Sequence, residues 1–203
     1  TELTIHCPNS GSMRSCSKPG SRVCFSRSDN PKRKYPHTLE MVKVGEGWVG
    51  VNTSLTNQLV AEALSNGTIA ELAGFDSLKR EVKTSDDSRL DILLIKDGKK
   101  TYVEVKNCSL VENRSALFPD AVTARGTKHL NELSHLVRQG HQGVIFFLVQ
   151  RSDADSFSPA AAIDPLYAET LARVREEGVM VLAYRAEVTP EAIEVTGPMP
   201  VVV

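Results

Sequence analysis

Residues 89–107, RLDILLIKDGKKTYVEVKN, decide how this chain is read. Asp97-Gly98 is a two-residue hairpin signal, because both central positions of a type I′ turn need positive φ. With Lys96 and Lys99 flanking that turn, the register sets Asp91 directly across from Glu104. Lys106 lies two residues beyond Glu104 on the same strand and shares its face. Ile92, Leu94, Val103 and Val105 fall on the opposite face and hold the hairpin to a core. Facing carboxylates repel and weaken a strand pair, so this end of the hairpin calls for a neutralising cation. Mg²⁺ or Mn²⁺ with oxygen ligands supplies one, and a metal held by Asp91 and Glu104 beside Lys106 suits water attack on a phosphodiester. A plain ion pair of Lys106 with the acids fits the same spacing, and a one-residue slip of register would separate them.

A third carboxylate is available from Glu62 or Glu81. Glu62 also reads as a solvated helix residue, and Glu81, between Arg80 and Lys83, as a cross-strand ion pair.

Outward from the hairpin, the apolar pattern alternates between helix and strand. Leu55, Leu59, Val60, Ala63 and Leu64 recur at helical spacing and Asn66-Gly67 closes the run, which predicts a helix over 54–66. Strands follow at 78–83, 89–95 and 101–107. A helix over 127–139 groups Leu130, Leu133, Leu136 and Val137 on one face. GVIFFLVQ (143–150) reads as a central strand buried on both faces. Asp164-Pro165 opens a further helix that Gly178 ends, and a strand follows at 179–188. This order describes a mixed sheet with helices on its faces. The segment FPDAVTARGTKHL (118–130) sets Arg125 and Lys128 at a helix start, where free backbone N–H groups favour anions. His129 fits equally a packed or an acting side chain.

The first fifty residues read differently: short alternating stretches such as ELTIHC, TLEMVKV and WVGVN, broken by Pro-Gly and Gly-rich turns. That is a small β module, a partly closed barrel. It opens on a strand pattern without an initiator Met, which suggests that earlier barrel strands lie outside these 203 residues. Formal charge is −1 over the chain, yet residues 1–50 hold eight basic and four acidic side chains. Arg27, Lys32, Arg33, Lys34 and Tyr35 crowd a stretch that Pro31 and Pro36 stiffen, and Arg14 lies upstream. Such a loop neutralises phosphates while its tyrosine lies against a sugar or base. Cys7, Cys16, Cys24 and Cys108 form no CxxC pair, which argues against structural zinc and for a reducing compartment. No run approaches the roughly 18–20 apolar residues of a membrane span, and the start lacks a signal-peptide pattern. The expectation is a cytoplasmic chain, with no membrane partner and no small-molecule cofactor.

With these residues in view, the sequence resembles the sugar fermentation stimulation protein A family over essentially its whole length. The resemblance is carried by HCPNSGSM (6–13), SRSDNPKRKYPHTLE (26–40), LVAEAL (59–64), ELAGFDSLKREVK (71–83), the RLDILL and YVEVKN pair, ALFPDAVTARGTKHLNEL (116–133), FFLVQRSDA (146–154) and VLAYRAEVTPEAI (181–193). It implies a mixed α+β chain. An OB-like barrel, incomplete here, would occupy residues 1–51, and a restriction-endonuclease-like PD-(D/E)xK domain with a mixed central sheet residues 52–203. It implies sequence-nonspecific DNA binding and a regulatory role in sugar, particularly maltose, metabolism. The D…ExK pattern of that superfamily maps onto Asp91, Glu104 and Lys106. The first functional reading is therefore a DNA-binding protein with a nuclease-like metal site, gripping phosphates through Arg14, Arg27, Lys32, Arg33, Lys34, Tyr35, Arg125 and Lys128. The alternative is a Mg²⁺- or Mn²⁺-dependent deoxyribonuclease.

Overall fold

The computed structural model describes residues 2–85 and 88–203. Near the N-terminus, β1 (Val23–Arg27), β2 (His37–Val44) and β3 (Gly47–Gly50) form an antiparallel sheet in that order. Gly45 supplies the positive φ (55°) that turns β2 into β3. Leu39, Val42, Val49 and Val51 bury one small core together with Cys16. The stretch around residues 2–7, expected as a strand, contributes only an isolated bridge from His6 to Thr38. Pro8 follows, and its missing N–H cannot continue a ladder. The cationic loop is the tip of the β1–β2 hairpin, closed by Ser28 N–H donating to the Pro36 carbonyl at 2.8 Å.

A 3-10 turn, Thr53–Leu55, capped by the Asn52 side chain, leads into α1 (Thr56–Ser65). Then come β4 (Ser77–Ser85), β5 (Ser88–Lys96) and β6 (Lys99–Cys108). A short hairpin follows, β7 (Leu110–Glu112) and β8 (Ser115–Phe118), and after it α2 (Ala124–Arg138) and β9 (Gln142–Val149). The chain ends with β10 (Ser156–Pro159), α3 (Pro165–Glu176), β11 (Met180–Val188) and β12 (Ile193–Pro198). The central sheet has the order β12-β11-β9-β6-β5-β4, with β9 parallel to both β6 and β11 and the other pairs antiparallel. A smaller sheet, β10-β8-β7, lies beside it.

The sheet is covered on both faces. Val60, Ala63 and Leu64 of α1 pack on Ile92, Leu94, Val103, Val105, Phe146 and Tyr184. Leu130, Leu133 and Leu136 of α2 and Tyr167, Leu171 and Val174 of α3 pack on Leu93, Tyr102, Ile145 and Phe147. The helix expected over 127–139 begins three residues earlier, because Thr123 is the cap: its Oγ1 accepts from Gly126 N–H at 3.0 Å. Asp164 caps α3 by accepting from Tyr167 N–H, with Pro165 at the first helical position. Among the described residues, no helix is long and apolar enough to cross a membrane.

Two departures from regular alternation flank Asp91. Leu78 packs on the α1 side of the sheet and Val82 on the α2 side, although they are four residues apart on one strand. Between them Glu81 has φ of 56°, a left-handed residue inside β4. Leu90 and Ile92 of β5 likewise join opposite cores. Such an irregularity re-aims the side chains next to it.

Candidate metal centre and its cleft

The hairpin register is the expected one from Lys96↔Lys99 to Ile92↔Val103, and there the β5–β6 ladder stops. Beyond that point Asp91 substitutes its side chain for the strand partner: Oδ2 accepts from the Val105 backbone N–H at 2.8 Å. Its Oδ1 accepts from Asn57 Nδ2 at 2.7 Å, which ties the start of α1 to the site. Burial, first, and then the nearby charge of Glu104 push the Asp91 carboxyl up to about 6, against the opposing pull of Val105 N–H, Asn57 and Lys106.

Glu104 is 2% exposed. One oxygen, Oε1, accepts from Lys106 Nζ at 2.5 Å and from Nδ1 of His129 on α2. Burial by itself would raise this carboxyl, but the His129 hydrogen bond and the Lys106 charge outweigh it, so Glu104 is held below the ordinary range. The other oxygen, Oε2, is buried and has no hydrogen-bond partner. A buried carboxylate oxygen left unpaired is costly, and a cation is the partner that suits an acceptor-only group. The donor set, two carboxylates with one open oxygen, fits Mg²⁺, Mn²⁺ or Ca²⁺, which take oxygen ligands and retain water. The carboxylates are a pair: among the described residues, no group of three or more His, Cys, Asp or Glu side chains converges as a metal cluster.

Of the other two acids, Glu62 stands apart from this pair, and Glu81, on the strand beside Asp91, pairs with Arg89. Glu62 is exposed on α1 and borders a separate cavity with Ile193 and Val195 of β12, at the far edge of the sheet from β4. Glu81 is exposed and lies 3.9 Å from Arg89, the cross-strand ion-pair arrangement.

Beside the pair lies a cleft of about 390 Å³, lined by Asn57 and Lys106 and by neither carboxylate. Val105, Lys106 and Asn107 form its floor, Asn57 one side, and residues 118–123 leading into α2 another. Asn9, Ser10 and Gly11 of the N-terminal segment form the remaining wall. That segment is fastened by Asp120, whose Oδ2 accepts from Met13 N–H at 3.0 Å and whose carbonyl accepts from Ser12 Oγ at 2.8 Å. Gly11 is required here, since a Cβ would stand 2.5 Å from Asp120 Oδ2. Arg125 and Lys128 are exposed on the first turns of α2, beside Thr123 at the cleft. Arg14 is exposed just past the fastened segment.

In the β1–β2 tip, Arg27, Lys32 and Lys34 are exposed. Lys34 lies over the Tyr35 ring at 5.2 Å, and Arg33 Nη2 donates to Thr38 Oγ1 at 2.8 Å. Arg33 thus has a structural use in tying the tip to β2. Two members of the site were not assigned from sequence. Asn57 carries no local signal, because 34 residues separate it from Asp91. His129 stands next to Lys128 in a recognisable anion-favouring helix start, yet only the fold shows that it meets Glu104.

Comparison with known proteins gives a consistent answer. Residues 54–192 match the model described as "Sugar fermentation stimulation protein RE domain", and residues 1–51 match "SfsA N-terminal OB domain". A sugar fermentation stimulation protein homolog of Desulfotalea psychrophila is 57% identical over 96% of this chain and 83% of its own length. Another, from Pelobacter propionicus, is 56% identical over 98% of this chain and 87% of its own length. A solved structure described as that of Pyrococcus furiosus SfsA in complex with Ca²⁺ superposes with a TM-score of 0.91 at 26% identity, covering 98% of this chain and 85% of that one. The mixed α+β architecture, an OB domain followed by a mixed sheet between helices, is thus shared, and the chain belongs to the sugar fermentation stimulation protein family.

Proposed function

We propose that this chain binds DNA without reading its sequence and holds a divalent cation at Asp91 and Glu104, beside Lys106. The observation that carries the reading is the convergence of these three side chains beside a cleft that Lys106 lines, with Glu104 Oε2 buried and unpaired. The Ca²⁺ complex described for the Pyrococcus furiosus relative supports a cation in this family. When bound, such an ion takes up phosphate charge and lowers the pKa of a water ligand. Around it the chain's own residues have distinct tasks. Asn57 and Val105 N–H orient Asp91, Lys106 presents an ammonium at the cleft floor, and Arg125 and Lys128 offer cations to a phosphate backbone at the start of α2. No helix-turn-helix, zinc-finger or basic-zipper pattern is present in the sequence, which favours contact with the backbone over base reading.

A second reading, metal-dependent cleavage of DNA, is favoured by one specific observation: Glu104 and Lys106 stand two residues apart on one strand with Asp91 held against that strand through Val105 N–H, the D…ExK arrangement of nucleases. Both readings are tested together by incubating labelled linear, nicked and branched DNA of unrelated sequences with Mn²⁺. Wild type is compared with Asp91→Asn and Lys106→Ala. Retention of all sequences with similar affinity is expected, and absence of retention would sink the first reading. Products from wild type that vanish in both variants support the second reading, whereas no products, or equal products in all three proteins, remove it.

A further inference from the structure

His129 is 6% exposed and reaches across from α2 to the strand that carries Glu104 and Lys106. Lys106 Nζ stands 3.5 Å from His129 Nδ1, and both groups converge on the same oxygen, Oε1 of Glu104. The ammonium can only donate. An imidazole lone pair aimed at a carboxylate oxygen would be repelled by it, so the network assigns the proton to Nδ1, which donates to Oε1. Two donors then saturate one oxygen while Oε2 has none.

These two donors are not equivalent. Lys106 ends a flexible four-carbon stem and can follow either carboxylate oxygen. His129 is a short, rigid ring fixed in a helix whose neighbouring Leu130 and Leu133 are fully buried. Only the imidazole can define which oxygen is occupied. We propose that His129 is a positioning residue for a divalent cation: it locks Glu104 by Oε1 so that Oε2 is the oxygen presented to the ion. This rests on the cation site proposed above and adds to it a residue on a different element. Partners that hydrogen-bond a ligating carboxylate typically change metal affinity 10- to 100-fold when removed.

The test is calorimetric titration of the metal-free protein with Mn²⁺ at pH 7.5, together with the electron paramagnetic resonance spectrum of the bound ion. Wild type, Glu104→Gln, His129→Ala, His129→Leu and His129→Asn are compared, each first checked to be folded by its melting curve. Leucine fills the space without a donor and keeps the test open should the alanine variant not fold. Asparagine places an amide N–H near the position of Nδ1. The expected result is a loss of about 10-fold or more in affinity for Ala or Leu, with an altered spectrum and substantial recovery in His129→Asn. Variants that melt earlier yet bind Mn²⁺ as wild type does would make His129 merely structural and overturn the inference alone. A wild type that binds no Mn²⁺, indistinguishable from Glu104→Gln, would instead overturn the cation site, and the inference with it.

Discussion

Asp91 is a residue whose chemistry costs the fold stability. Its carboxyl is raised to about 6, by burial and then by Glu104, from the 3.8 of an unperturbed aspartate. A raised folded-state value means that folding favours the protonated acid. The stabilisation is complete below about pH 4 and is lost as pH rises through about 6. Between those limits, without metal, stability should fall by on the order of 2 to 3 kcal/mol. Urea unfolding in a chelator at pH 5 and pH 7.5 measures the upper part of that fall, about 1 to 1.5 kcal/mol. Asp91→Asn should flatten the dependence and be the more stable protein at pH 7.5, and Ca²⁺ or Mn²⁺ should restore the wild type by binding only the folded state. A wild-type stability that rises over this interval would contradict the assignment. Sites that keep like charges close are where sequences accept such a cost.

At the scale of elements, α2 has two faces, because Leu130 and Leu133 pack in the core while His129 meets Glu104 and Arg125 and Lys128 are exposed on its first turns. Leu130→Ala should cost about 2–5 kcal/mol by loss of buried area and creation of a cavity. Its effect on DNA retention should be small at temperatures where the protein stays folded. A shift in thermal midpoint without a matching loss of retention checks this separation. The β5–β6 hairpin was legible because Asp97-Gly98 leaves one register open, the apolar faces of α1 and α2 were legible from their spacing, and α3 from its Asp164-Pro165 start and Gly178 end. The β7–β8 hairpin was not. Its turn residues Asn113 and Arg114 both have positive φ, at 49° and 63°, and arginine gives no warning of that conformation. The short strands β10 and β12 escaped because their pairing, to β8 and β11, is decided by the sheet and not by their own pattern. In the site, Asp91, Glu104 and Lys106 were legible because two adjoining strands carry them. Asn57 and the contact of His129 with Glu104 depend on where whole helices settle, and no local spacing encodes that.

For the whole molecule, the sum of −1 conceals a division in which the N-terminal part is basic and the remainder acidic. DNA contact should therefore be local, with a modest dependence on salt. Each phosphate contact contributes roughly 0.9 to the slope of log affinity against log salt. Lys32→Ala with Lys34→Ala should weaken binding to all sequences alike and reduce that slope by up to about 2. Arg33 is better left in place, since it holds Thr38 at 2.8 Å. An unchanged slope in a fluorescence titration would remove the β1–β2 tip from the interface. The two parts are also bonded across their junction: buried Arg151 donates to Ser15 Oγ and to the Ser109 carbonyl, and ion-pairs with Asp153. Gly11, pressed against Asp120 with no space for a methyl group, belongs to the same junction. Because residues 9–11 wall the cleft whose floor is β6, the OB domain takes part in shaping that cleft. Separated from it, the second domain would retain its acids and lose the shape of the chamber beside them. The pair is thus expected to be inherited and to diversify as one unit.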